Sequence, residues 1–118
     1  MSVLVADDEL GMRETLTDIL SQSGYDVHEA ADGEAALEAI REDSFDVVVM
    51  DVRMPGRDGV SVLREVGSPP PAVILITAYA TESQLADARR ENVFAVLHKP
   101  FPVPQLLGLV ASAVEAAK

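Results

Sequence analysis

Cysteine is absent from the 118 residues, which excludes disulfides and thiolate chemistry and fits a reducing cytoplasm. No apolar run approaches the roughly 20 residues that span a bilayer. Met1 leads straight into an apolar segment with no basic stretch and no small-residue cleavage site, so neither secretion nor organelle import is expected. Aromatics make up only 4% of the chain, which leaves the core to Ala, Val, Leu and Ile. Basic residues are few as well. Nine Lys and Arg stand against twenty Asp and Glu, a net charge of −11, and such a surface repels phosphate backbones across a Debye length of about 8 Å. Direct nucleic-acid binding is therefore not expected, whereas cations and basic protein patches are favoured. The seven glycines form neither G-x-G-x-x-G nor a P-loop, which argues against a nucleotide or flavin binder.

What remains is a chain of the right length for one soluble domain, residues 1–118. Its organising stretch is Phe45 to Gly59, FDVVVMDVRMPGRDG, where a continuous apolar run ends on one carboxylate, Asp51, and breaks into a Pro/Gly loop. Val47, Val48, Val49 and Met50 are apolar on both faces, as suits a central strand of a parallel sheet covered by helices. Ser2 to Ala6 is a second such run, stopping at Asp7, Asp8 and Glu9. Ala72 to Thr77 is a third, ending on a hydroxyl, and Val93 to His98 a fourth, ending at Lys99 and Pro100. Tyr25 to Ala30 alternates enough to be a further strand.

Between them lie helical patterns. Met12, Leu16, Ile19 and Leu20 recur at helical spacing, with Gly24 as their stop. Asp32 and Gly33 open a second helix, and Gly59 to Val66 is a third, closed by Gly67 and Pro69 to Pro71. Thr81 is the expected cap of a fourth helix, with Leu85 and Ala88 inward and Asp87, Arg89, Arg90 and Glu91 outward. The fifth helix starts near Pro104. Its core stripe is Leu106, Leu107, Val110 and Val114, with Leu109, Ala113 and Ala116 off that stripe. Five strands alternating with five helices predict an α/β fold, a doubly wound five-stranded parallel sheet flanked by five helices.

In a parallel sheet the carboxyl ends of the strands share one edge, where ligands bind. That edge would carry Asp7, Asp8, Asp51, Thr77 and Lys99. Taken singly, an Asp pair before a helix is a cap or dipole partner, and the lysine a solvated charge. Taken together, carboxylates about 4 Å apart repel by up to about 4 kcal/mol per pair and need a counter-ion. Hard oxygen donors of this kind suit Mg²⁺, with Lys99 and Thr77 placed to hold the oxygens of a phosphoryl group on Asp51.

The strings VLVADDE, VVVMDVRMPGRDG, ILITAYA and LHKPF, spread over the whole chain, resemble those of response-regulator receiver domains of bacterial two-component signalling, the flavodoxin-like receiver fold. TAYA and MPGRDG are similar to receivers of transcription activators of the nitrogen-regulation type. The resemblance implies a switch that takes a phosphoryl group on Asp51 from a histidine kinase or phosphotransfer protein. It implies Asp8 as a direct Mg²⁺ ligand, Asp7 as an indirect one, and the backbone carbonyl of Arg53 as a further ligand, with Thr77 and Lys99 on the phosphoryl group. It also implies a cis Lys99–Pro100 peptide and an output surface on the fourth helix, fifth strand and fifth helix, serving an effector domain or a homodimer. The family's aromatic switch position is occupied here by Val96. Arg53 and Tyr79 are expected to overhang the site and prolong the phosphoryl lifetime. The competing enzyme reading is a haloacid-dehalogenase-type phosphatase, which also uses a strand-end Asp nucleophile. It needs an acid two residues further on, and Arg53 stands there.

Overall fold

The computed structural model of the protein describes residues 1–54, 58–66, 71–78, 82–91 and 93–117. In chain order the elements are β1 (Ser2–Ala6), α1 (Leu10–Gln22), β2 (Asp26–Ala30), α2 (Gly33–Glu42), β3 (Val47–Asp51), α3 (Gly59–Glu65), β4 (Ala72–Thr77), α4 (Glu82–Arg90), β5 (Ala95–His98) and α5 (Val103–Ala117). All strand pairs are parallel, in the order β2-β1-β3-β4-β5. Strand order reverses between β1 and β3, and the divergence of the connections there opens a crevice at their carboxyl ends.

Each strand sorts its side chains by parity, as a pleated backbone must. Val3, Val5, Val47, Val49, Ile74 and Ile76 meet α1 and α5 on one face. Leu4, Ala6, Val48, Met50, Val73 and Leu75 meet α2, α3 and Ala88 of α4 on the other. Val47 to Met50 are wholly buried, and full burial of a large aliphatic side chain stabilises by about 1.5–3 kcal/mol. β3 is thus gripped from both sides, and the carboxylate at its end is carried by the firmest part of the sheet.

The ends of the helices follow their local chemistry. Asp32 caps α2 by accepting the Ala35 N–H at 2.8 Å, and Asp58 caps α3 by accepting the Ser61 N–H at 2.7 Å. Gly24, at φ 95°, ends α1 in the left-handed region open to glycine. α1 itself starts at Glu9 with no side-chain cap.

Several boundaries and faces differ from the sequence expectation. β3 begins at Val47, and Asp46 before it donates its N–H to the Ser2 carbonyl at 2.9 Å and accepts the Ser2 N–H on its carboxylate at 2.8 Å. β5 begins at Ala95. In α5, Leu106, Val110 and Val114 are buried as expected, but Ala113, expected outside, is fully buried, and Leu107 and Leu109 are both half-buried against the core. α5 lies across β4 and β3, and a methyl side chain lets its backbone come close to the sheet. Leu85 is only half-buried, which leaves Ala88 as the buried residue of α4. Ion pairs help hold that helix: Arg64 of α3 reaches Asp87 at 3.2 Å and Glu91 at 3.8 Å. The expected Thr81 cap, Tyr79 and the Gly67 to Pro70 stop lie outside the described residues. Among the described residues, no helix is long and apolar enough to cross a membrane.

Candidate functional site

Asp7 follows β1 directly, its N–H donating to the Ala30 carbonyl at 3.1 Å and so extending the ladder one residue past the strand. The side chain is buried, 1% exposed. Its Oδ1 accepts the Glu9 N–H at 2.9 Å, which turns the chain toward α1. Asp8, one position on, faces solvent. Asp51 ends β3 at 9% exposure, its Oδ1 accepting the Arg53 N–H at 2.8 Å and its Oδ2 accepting Lys99 Nζ at 2.8 Å. Asp7, Asp8 and Asp51 each present a carboxylate oxygen within 4.8 Å of the others.

Lys99 arrives from the far side of the sheet. β5 delivers it, the Lys99–Pro100 peptide is cis, and its own N–H donates to the Thr77 carbonyl at 2.8 Å. Nζ lies 2.8 Å from Asp51 and 3.5 Å from Asp7, so one ammonium bridges the two buried carboxylates. Burial works against its charge, but the hydrogen bond and charge of Asp51 outweigh that and raise the Lys99 pKa above its ordinary value. For Asp7 the balance goes the other way. Burial is the largest influence and raises its pKa, against the Glu9 N–H and Lys99, which lower it.

Thr77 is fully buried at the end of β4, and its Oγ1 has no hydrogen-bond partner among the described residues. A buried hydroxyl left unpaired costs about 1–3 kcal/mol. An arriving acceptor oxygen would remove that cost. Val96 is half-buried against the α2, α3 and α4 face of the core. Arg53 is exposed beside Asp51. Asp8, Arg53, Met54, Asp58 and Gln84 line an open depression of about 410 Å³ at the carboxyl edge. An apolar groove of about 480 Å³ runs from Met12, Leu16 and Ile19 of α1 to Lys99, Pro100 and Phe101.

The donor set fits a hard divalent cation. It consists of carboxylate oxygens, two of them buried and one open to water, and the negative charge of the cluster exceeds what a single ammonium can balance. Mg²⁺ bound there would supply Lewis-acid charge neutralisation for a phosphoryl group.

Two residues of the site were not singled out from sequence. Gly59 opens α3 directly under β3, and a Cβ built on it would stand 2.8 Å from the Asp51 carbonyl oxygen. Arg13 donates from Nη1 to the Asp7 carbonyl at 2.8 Å and from Nε to Glu29 at 3.2 Å. Its signal was a cation one helical turn after an acidic triplet, which is weak without knowledge of where the side chain reaches.

The sequence profile of the response regulator receiver domain family matches residues 3–111. The transcriptional regulatory protein PdtaR of Mycobacterium tuberculosis (strain H37Rv) is 37% identical over 114 residues, 95% of this chain and 56% of that protein. The chain thus spans about half the length of this relative. A response regulator receiver domain protein from Clostridium thermocellum has a crystal structure similar to this one, with a TM-score of 0.90 at 29% identity over 98% of this chain and 94% of that one. NtrX from Brucella abortus is similar at a TM-score of 0.87 and 28% identity, over 98% of this chain and 27% of NtrX. Strand order, the carboxylate edge and the match over residues 3–111 agree, and the chain belongs to the response regulator receiver domain family of two-component signalling.

Proposed function

We propose that Asp51 is the phosphoacceptor of this receiver domain, taking a phosphoryl group from a histidine kinase or phosphotransfer protein. The observation that carries the reading is a buried strand-end carboxylate, 2.8 Å from an ammonium and within 4.8 Å of two further carboxylates. An Asp51 oxygen attacks phosphorus in line, the P–N bond to the donor imidazole breaks, and an O–P bond forms. Lys99 then passes from the Asp51 carboxylate to a phosphoryl oxygen, keeping its charge-assisted bond. Thr77 donates its hydroxyl to another. Asp8 would hold Mg²⁺ directly and Asp7 through water, with the Arg53 carbonyl and an Asp51 oxygen as further ligands.

Residues 1–118 act in this reading as one cytoplasmic receiver domain. The apolar groove beside Lys99 suits a donor helix that brings a phosphohistidine to the edge. After transfer, α4, β5 and α5 change their contact with an effector domain or a second copy. Val96 is the switch position, and its small side chain supplies a shorter lever than an aromatic. The phosphatase reading has no support here, since exposed Arg53 occupies the place of the second acid.

Acetyl phosphate with Mg²⁺ tests the assignment by intact mass. The parent should gain one phosphate and Asp51→Asn none. Equal labelling of the two proteins would overturn the choice of Asp51.

A further inference from the structure

Arg13 makes two contacts that the phosphoryl chemistry does not call for. It lies in the first turns of α1, yet its side chain is only 15% exposed, because it folds back over the β1–α1 loop. Nη1 donates to the backbone carbonyl of Asp7 at 2.8 Å, and Nε pairs with Glu29 of β2 at 3.2 Å. One guanidinium therefore ties α1, the loop and the edge strand together at the residue where the chain leaves the sheet.

That loop has few other restraints. Glu9, at the N-cap position of α1, makes no side-chain cap. Beyond the ladder bond from the Asp7 N–H to Ala30, the Asp7 carboxylate accepts the Glu9 N–H and meets Lys99 Nζ at 3.5 Å, and the Glu9 carbonyl accepts the Arg13 N–H at 3.0 Å. Asp8 sits inside this turn and is exposed. The Asp7 carbonyl belongs to the peptide that joins Asp7 to Asp8. Fixing it therefore restricts the direction in which Asp8 leaves the backbone, beside an Asp7 carboxylate already held by the Glu9 N–H and Lys99.

We propose that Arg13 is a positioning residue for the divalent-cation site, holding the Asp7–Asp8 peptide so that both side chains face Asp51. The proposal rests on the reading of these aspartates as a Mg²⁺ site. Electrostatics alone makes the opposite prediction. A cation beside three carboxylates competes with Mg²⁺, so an Arg13 that acted only through its charge would, when removed, leave binding tighter. An Arg13 that positions would leave it weaker, in the range of about 10-fold or more seen when groups supporting metal ligands are lost.

The test uses the unphosphorylated full chain, with Mg²⁺ titrated against amide NMR shifts in the parent, Arg13→Gln and Arg13→Lys, and thermal unfolding recorded without Mg²⁺. Arg13→Gln should bind Mg²⁺ about 10-fold more weakly while keeping a dispersed spectrum. Arg13→Lys keeps the charge but has no planar fork to reach carbonyl and carboxylate together, and should fall between the two. Affinity in Arg13→Gln equal to or tighter than the parent overturns the proposal, whatever its melting temperature. If Arg13→Gln does not fold, parent-like affinity in Arg13→Lys overturns it equally. A parent that shows no response to Mg²⁺ is a different failure, that of the cation-site reading beneath.

Discussion

Asp7 is the residue at which the fold and its site are in conflict. Burial raises its pKa above the ordinary 3.8, so the folded chain binds the Asp7 proton more tightly than the unfolded chain does. Stability from such a group is fully present below about pH 3.8 and is lost as pH rises through the raised value. Above that value the ionised side chain is therefore a net liability to the protein in the absence of a cation, a cost that the proposed Mg²⁺ site would offset. Asp7→Asn keeps the shape and removes the charge. Its melting temperature at pH 7 without divalent ions should exceed the parent's, with the gap closing as pH approaches 4. Circular-dichroism melts across pH 4–8 would check this, and a gap that widens toward low pH would contradict the sign. The same variant should gain less stability from added Mg²⁺, since binding to the native state alone is what raises its stability.

At the scale of the element, the loops after β1 and β3 matter more than the helices they lead into. Gly59 shows why. Nothing in its backbone demands glycine, but a Cβ there would meet the Asp51 carbonyl oxygen at 2.8 Å and the Val52 Cα at 3.3 Å. Backbone cannot give way as a flexible side chain can. Gly59→Ala should therefore push α3 from β3 and cost about 1–3 kcal/mol. Gly108, mid-helix in α5, is the internal control, since a methyl group added there would meet nothing within 4 Å. There the same substitution should stabilise by about 0.5–1 kcal/mol. Urea unfolding of both variants reads the two signs, and equal shifts would refute the close-approach argument. α4 stands at the other extreme, anchored by Ala88 and by partly exposed ion pairs from Arg64 worth about 0.2–1 kcal/mol each. Under the proposed switch, α4, held among the described residues by these contacts, is the element expected to move when the site changes charge.

For the whole molecule, a net charge of −11 sets a background repulsion between copies, so any self-association must use a surface poor in acids. The outer side of α5 is such a surface. Between Val103 and Ala117 the sole charged residue is Glu115, and Val103, Ala111, Ser112 and Ala116 are exposed. Leu109 is half-buried against the core, so a charge placed there would disturb packing as well as any contact. Ser112→Glu is the cleaner probe. Under the proposed output surface, beryllofluoride with Mg²⁺ should promote association of the parent in sedimentation, and Ser112→Glu should associate about 10-fold more weakly. A variant that sediments like the parent with and without beryllofluoride would remove α5 from that surface. Moving such an equilibrium from 1:99 to 99:1 takes about 5.5 kcal/mol. With Val96 as a short lever, a smaller shift and a mixed population are expected.

Elements and their sidedness were legible from the chain because they are local. The unbroken run Val47 to Met50 specifies a strand buried on both faces, its end specifies where Asp51 stands, and Asp32 and Gly24 mark helix ends through their own side-chain and backbone chemistry. Ala113 was not legible, since a methyl group gives almost no periodic signal and its burial depends on how closely α5 meets β3 and β4. The reach of Arg13 to the Asp7 carbonyl, the contact of Gly59 with Asp51 and the bridge of Lys99 from Asp51 to Asp7 are also products of assembly. Lys99 and Asp7 are 92 positions apart. Parallel pairing puts their strand ends on one edge, and the order β2-β1-β3-β4-β5 sets β1 beside β3 with β4 and β5 beyond, an arrangement that depends on two helical layers packing on the sheet rather than on any stretch of the chain alone.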